Sequence, residues 1–380
     1  MKFRKIVLLI VFFAVLLTSL FPQNIYLLVL FSALTWILLP YKQWWDGAGI
    51  ALLLFSIFYA AMVILSGQVK SGFLTISYLI SPVAFYRFGR YLMTEYRTDN
   101  VRFRLLLFMA YAYLLNVFVL TAVDISVVGI INEDRMLLGT STSDDALAAT
   151  LYGLMTSVGI GCIGACFAKG QKIFVRFLYF ILVILSLLTV IHLVNRGGLV
   201  ILIMCLATSL LINYRRSVVK LVLVIIALAI GAFLLLKFGL LNGEVLDAYE
   251  ERNVVGGYGV ETAGGRTDLW LRSIRNLLRH PMGWQQEFYA HNLWIDVARI
   301  GGWMSLIPFL VSTFAILYRQ MYLVRRRNSQ FILALAVLNM ALLLAAFIEP
   351  VIEGSMSFFS ILILIWGMTA SLYVESSSLN

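Results

Sequence analysis

The side chains best able to do chemistry sit in two short runs and the segment between them. The first is Leu193-Val194-Asn195-Arg196-Gly197-Gly198, wedged between two strongly apolar stretches. Arg196 therefore falls at the outer ends of two helices. The glycine pair permits a backbone reversal and the close approach of a ligand, and the free N–H groups near Leu199 favour an anion. The competing reading is an arginine snorkelling to lipid phosphates. The second run is Tyr289-Ala290-His291-Asn292-Leu293-Trp294, where His291, one of three histidines, opens an apolar segment. An imidazole at a water–membrane boundary is the usual general base for a hydroxyl, although a structural histidine at a helix start fits the same position. His192 and His280 read as structural, with a supporting role open to His192.

Between these runs, residues 266–279 (RTDLWLRSIRNLLR) place Leu269, Trp270, Ile274, Leu277 and Leu278 at helical spacing, with Arg272, Arg275 and Arg279 on another face. Pro281 ends this amphipathic helix, which is expected along the outer membrane–water boundary. A solvated face on a connecting helix is the plainer alternative. Arginines gathered at such a depth suit a phosphate or diphosphate, because guanidinium donates bidentate hydrogen bonds. Arg196, Arg266, Arg272, Arg275, Arg279 and Arg299 are the candidates. Glu261, Asp268, Asp296, Glu349 and Glu353 fall on the same side and compete with His291 for the role of base. No His/Cys cluster has metal-ligand spacing. Asp144-Asp145 reads as ordinary loop acidity, and Cys162, Cys166 and Cys205 lie in apolar runs as buried thiols.

Positioning these groups requires a membrane. The chain has 380 residues, of which 62% are hydrophobic and 13% charged, so a soluble domain, a disordered chain and a disulfide scaffold are excluded. Apolar segments at 6–21, 25–39, 48–66, 72–93, 103–122, 145–168, 173–195, 198–213, 218–241, 291–317, 330–349 and 355–373 predict an all-α polytopic protein with twelve spans. With the N-terminus in the cytoplasm, 19 of the 29 basic residues fall on inner connections, which places both termini inside. The net charge of +10 is thereby assigned to topology and not to nucleic acid. The whole chain, 1–380, reads as a single membrane domain with outer loops at 123–144 and 242–290. The longer loop carries the glycine-rich run 253–265 ahead of the amphipathic helix.

Arg196-Gly197-Gly198, then Gly264-Gly265-Arg266 with Trp270, His280-Pro281-Met282-Gly283, and His291-Asn292 with Gly301-Gly302 resemble the O-antigen polymerase and O-antigen ligase superfamily. The resemblance covers about 190–305, in the family's order; Asn195 stands where serine is common. It implies a GT-C type glycosyltransferase of the bacterial inner membrane, without metal or other cofactor and with its site facing the periplasm. The donor would be an undecaprenyl-diphosphate-linked oligosaccharide and the acceptor a glycan, within membrane lipid and with a possible chain-length regulator protein as partner. His291, Arg196 and Arg266 would be catalytic. Arg272, Arg275, Arg279, Arg299, Asn292, Gly197 and Gly198 would hold diphosphate or glycan. Polymerase is the first reading and ligase, with lipid A–core as acceptor, the second. A flippase for lipid-linked oligosaccharide is the rival from another class, weakened because no convincing repeat is visible and the central thirds of most spans are uncharged.

Overall fold

A computed structural model describes residues 2–21, 23–40, 45–132, 137, 148–214, 266–284, 289–326, 329–352 and 354–377. The expected span 218–241, the glycine-rich run 253–265 and residues 133–136 and 138–144 of the loop 123–144 lie outside the described residues. Among those described there are helices and no strands. In chain order the helices are α1 (Lys2–Leu17), α2 (Asn24–Leu38), α3 (Gly47–Leu65), α4 (Gly72–Glu95), α5 (Asp99–Val128), α6 (Ala148–Gly161) and α7 (Ile163–Cys166). They continue as α8 (Ile173–His192), α9 (Arg196–Tyr214), α10 (Arg266–Arg279), α11 (Leu293–Arg326), α12 (Gln330–Ile348) and α13 (Met356–Ser377).

Six of these, α3, α5, α8, α11, α12 and α13, are long and apolar enough to cross a membrane, and α2, α9 and the α6–α7 stretch are shorter apolar helices. A 22-residue helix such as α13 rises about 33 Å, the thickness of the hydrocarbon layer. The protein is a helical membrane protein. Lipid-facing and buried helices separate clearly: 89% of the apolar window of α13 is buried, against 33% for α8. Outward from α8 project Phe177, Phe180, Ile184 and Leu188, an apolar stripe that only lipid solvates well. Inside, α13 lies along α4, and the backbones approach so closely at Gly89 that a Cβ there would overlap the Leu364 carbonyl.

Two expected spans are interrupted. The stretch 145–168 breaks at Cys162 into α6 and α7. The stretch 291–317 runs on to Arg326 but breaks at Gly302, where φ is +54° and ψ −154°. The expected outer loop also begins later than the sequence indicates, because α5 continues through Val128 and takes Asp124 into the protein.

Helix direction sorts the ionic groups to two ends. Lys5 pairs with Glu95, Arg90 and Arg319 with Asp46, and Arg102 with Glu375 at one end. His192 with Asp124, and Arg266 and His291 with Glu349, gather at the other.

Candidate active site

Glu349 is the hub of the second end. It follows the last turn of α12 and precedes Pro350, whose ring disfavours a helical conformation at the residue before it. Glu349 accordingly turns extended (φ −136°, ψ 152°) while its N–H still donates to the Ala345 carbonyl. The carboxylate is 8% exposed. Its Oε2 accepts from Arg266 Nη2 at 3.3 Å and lies 3.6 Å from His291 Nδ1. The start of α9 closes the other side: a Cβ on Gly197 would stand 3.7 Å from Glu349 Oε1 and press on the Ile348 side chain. Three motifs far apart in the chain thus meet at one carboxylate.

His291 is held there in a left-handed conformation, φ +52°, which costs a side-chain-bearing residue about 1–2 kcal/mol. Three interactions impose it. Asp296, in the first turn of α11, accepts from the N–H groups of Ala290 (2.7 Å) and Asn292 (3.3 Å), on either side of His291. Trp270 Nε1 donates to the Ala290 carbonyl at 2.7 Å, and its ring meets Phe347 edge-on. Asn292 caps α11 by accepting from the N–H groups of Trp294 and Ile295, and its Nδ2 donates to the Phe347 carbonyl at 3.2 Å. The imidazole is left one-third exposed beside a buried carboxylate.

The His280-Pro281-Met282-Gly283 turn and the Gly301-Gly302 pair form one lock. At the break in α11, Trp303 N–H donates to the Pro281 carbonyl and the Arg299 carbonyl accepts from Trp284 N–H, both at 2.9 Å. Groups released from the helix ladder are paired again, as a break at membrane depth requires. Gly283 (φ +105°) faces the Arg299 and Ile300 carbonyls, and any Cβ on Gly302 would overlap Pro281 O. Leu277, Trp284, Ala298 and Leu306 pack together beneath the lock and tie α10 to α11.

No protein-family model matches this chain, and no curated protein matches it either.

The Arg196 turn has its own support. Val194 is left-handed (φ +49°), and Asn195 Oδ1 accepts from Gly198 N–H at 3.0 Å, which caps α9. Asparagine serves as well as serine in such a cap. Behind it, His192 and Asp124 are fully buried. His192 Nε2 is 2.7 Å from Asp124 Oδ2, and Nδ1 is 2.9 Å from the Ile130 carbonyl. Asn132 closes the cluster by donating its N–H to the His192 carbonyl at 2.8 Å. The end of α5 is thereby fastened to the residues just ahead of Arg196.

The expected site residues therefore divide. Arg266, His291 and Gly197 surround Glu349, and Arg196 begins the helix that presents Gly197. Gly198 and Asn292 are buried in caps, so they position the site's backbone. Arg299, expected on the outer surface, is 4% exposed and stands 3.8 Å from Asp296. Arg272, Arg275 and Arg279 are exposed on α10, away from the face that buries Ser273 and Leu277. Among the five carboxylates considered as bases, Asp296 is engaged by backbone N–H groups and Asp268 is exposed, while Glu261 and Glu353 lie outside the described residues.

Proposed function

We propose that the protein is an inverting, metal-independent polymerase of lipid-linked polysaccharide repeat units. It would move glycan from undecaprenyl diphosphate to a terminal sugar hydroxyl of another lipid-linked unit. The observation that carries the reading is the Glu349 carboxylate placed between His291 and Arg266, against the first turn of α9. With Nδ1 turned to Glu349, the carboxylate favours the tautomer protonated there and leaves Nε2 as an acceptor. That is the division of labour between a carboxylate and its histidine in acyl-transfer triads. The separation of 3.6 Å is the loose geometry expected before substrate tightens the site.

In the reaction the acceptor hydroxyl gives its proton to His291 Nε2 as its oxygen forms the new bond to C1. The C1–O bond to the diphosphate breaks, and the diphosphate leaves with the electron pair. Arg266 keeps most of its five N–H donors beyond the one aimed at Glu349, and Arg196 stands one residue from Gly197. Together they would neutralise the charge that grows on the leaving group. Arg272, Arg275 and Arg279 would draw in the donor's diphosphate along the membrane surface. The proposal includes the twelve-span topology, with both termini cytoplasmic and the Glu349 end facing the periplasm of a bacterial inner membrane.

The test uses purified full-length protein, an undecaprenyl-diphosphate repeat unit and EDTA throughout, with products separated by size. A ladder of lengthened lipid-linked glycans from wild type, and none from His291→Ala, is the expected result. Product formed only with lipid A–core present would make the protein a ligase. Failure with both acceptors, together with movement of the lipid across liposomes, would replace the enzyme with a transporter.

A further inference from the structure

The opposite end of the bundle holds a cavity of about 480 Å³ between the ends of α4 and α13, lined by Arg90, Met93, Thr94, Arg97, Ser371, Val374 and Glu375. Its walls carry charges of both signs. Arg90, 7% exposed, sends Nη1 to Asp46 Oδ2 at 2.8 Å, and Arg319 reaches the same oxygen at the same distance. One carboxylate is thus shared by two guanidinium groups, with the Tyr86 hydroxyl donating to it as well. On the other wall Glu375 Oε2 accepts from Arg102 Nη2 at 3.0 Å, and Arg102 also stands 3.6 Å from Asp99. The wall carboxylate is therefore already satisfied from behind. Arg97, exposed, lines the cavity and makes a 3.5 Å contact with the Thr94 carbonyl. Met93 and Val374 supply an apolar side, and Val374 is 46% exposed.

We infer that this cavity is a second anion site, separate from the Glu349 centre, which takes a phosphate group between Arg90 and Arg97. Its volume falls within the range of small-molecule pockets, and a basic hollow between membrane helices is a typical receptor for an anionic lipid headgroup. The exposed Arg97 guanidinium would meet the phosphate with its fork, Arg90 held on Asp46 would add its charge from the wall, and the apolar side would accommodate the first carbons beyond the phosphate. Inorganic phosphate offers the same chemistry without the apolar part, so the two sources are separated by experiment.

Full-length protein in detergent is titrated with dioleoyl-phosphatidylglycerol, dioleoyl-phosphatidylcholine, or inorganic phosphate against chloride at matched ionic strength, and thermal stability is read at each step. Saturable stabilisation by phosphatidylglycerol, absent with phosphatidylcholine, is expected and identifies a lipid. Saturation by phosphate with no response to phosphatidylglycerol identifies a free anion at the same site. Arg97→Glu should weaken the midpoint at least about tenfold, as loss of a charged hydrogen-bond donor does. Val374→Trp, which narrows the mouth at an exposed position without changing charge, should weaken it too. Stabilisation that does not discriminate among the additives, or that saturates identically in wild type and both variants, would overturn the site.

Discussion

Replacing Glu349 by glutamine isolates what the hub carboxylate contributes. The two side chains have the same shape, so the extended residue before Pro350 and the packing around it survive, and the melting temperature should move little. The negative charge is lost. At 3.3 Å from Arg266 and an effective dielectric of about 20, the bare Coulomb attraction is about 5 kcal/mol. Most of that is offset by desolvation, and a charged hydrogen bond retains about 1.5–3 kcal/mol. Under the proposed mechanism the larger effect is on His291. A carboxylate-to-amide change behind a catalytic histidine costs about four decades in the best-characterised triad. The 3.6 Å separation from Nδ1 is looser than a formed hydrogen bond, so a loss of about two to three decades in kcat is expected, or about 3–4 kcal/mol. The donor KM should stay level or fall, because Arg266 is released from its partner. Glu349→Asp withdraws the carboxylate by about one methylene and should land between the two, near a tenfold loss. The assay is initial-rate polymerisation in detergent with donor and acceptor varied separately. A Gln variant that keeps kcat within threefold of wild type, or whose whole defect lies in KM, would refute the orienting role.

Other expectations follow from the same geometry. Gly302→Ala places a Cβ against the Pro281 carbonyl at φ +54° and should lower stability by about 1–3 kcal/mol, seen as a fall in melting temperature together with activity. Asn292→Ala removes the cap of α11 and the bond to the Phe347 carbonyl and should cost about 1–2 kcal/mol, whereas Asn292→Ser keeps a capping oxygen and should recover part of it; thermal denaturation of the three proteins decides. Asp124→Asn disturbs a fully buried pair and should destabilise by about 2–5 kcal/mol, measured by denaturation, with wild-type stability disproving the anchoring of the Arg196 turn. Under the proposed mechanism, neutralising Arg272, Arg275 and Arg279 together should raise the donor KM and flatten its salt dependence while leaving kcat near wild type, as exposed surface charges act on capture.

The parts of this arrangement that the sequence discloses are those set by local physics. A helix in hydrocarbon needs an unbroken apolar run, so α3, α8 and α12 stand out by composition. The amphipathic α10 is equally plain from its spacing, and Pro281 marks where it stops. Asp296 is legible as a charge but not as a clamp, because its partners are the backbone N–H groups of a turn whose shape no periodicity encodes. The burial of Arg299 is hidden from the sequence for a similar reason: the break at Gly302 depends on a carbonyl about twenty residues earlier in the chain. Glu349 was one carboxylate among five, and choosing it takes closure over 83 residues to Arg266. A faint signal was present in Ile348-Glu349-Pro350, an acid fixed by proline at the end of an apolar run. The backbone gives the stronger argument. Among the described residues, two non-glycine positions have positive φ, Val194 and His291. One precedes the α9 turn that brings Gly197 to Glu349, and the other carries the imidazole on its opposite side. Such strain persists only where surrounding contacts over-determine it. Here the contacts are a buried Asn195 cap, the His192–Asp124 pair, the Asp296 clamp and the Trp270 bond. Two independent sets of interactions therefore stabilise unfavourable backbone on both flanks of a single carboxylate. In the proposed mechanism that rigidity would hold donor and acceptor in one geometry at Glu349.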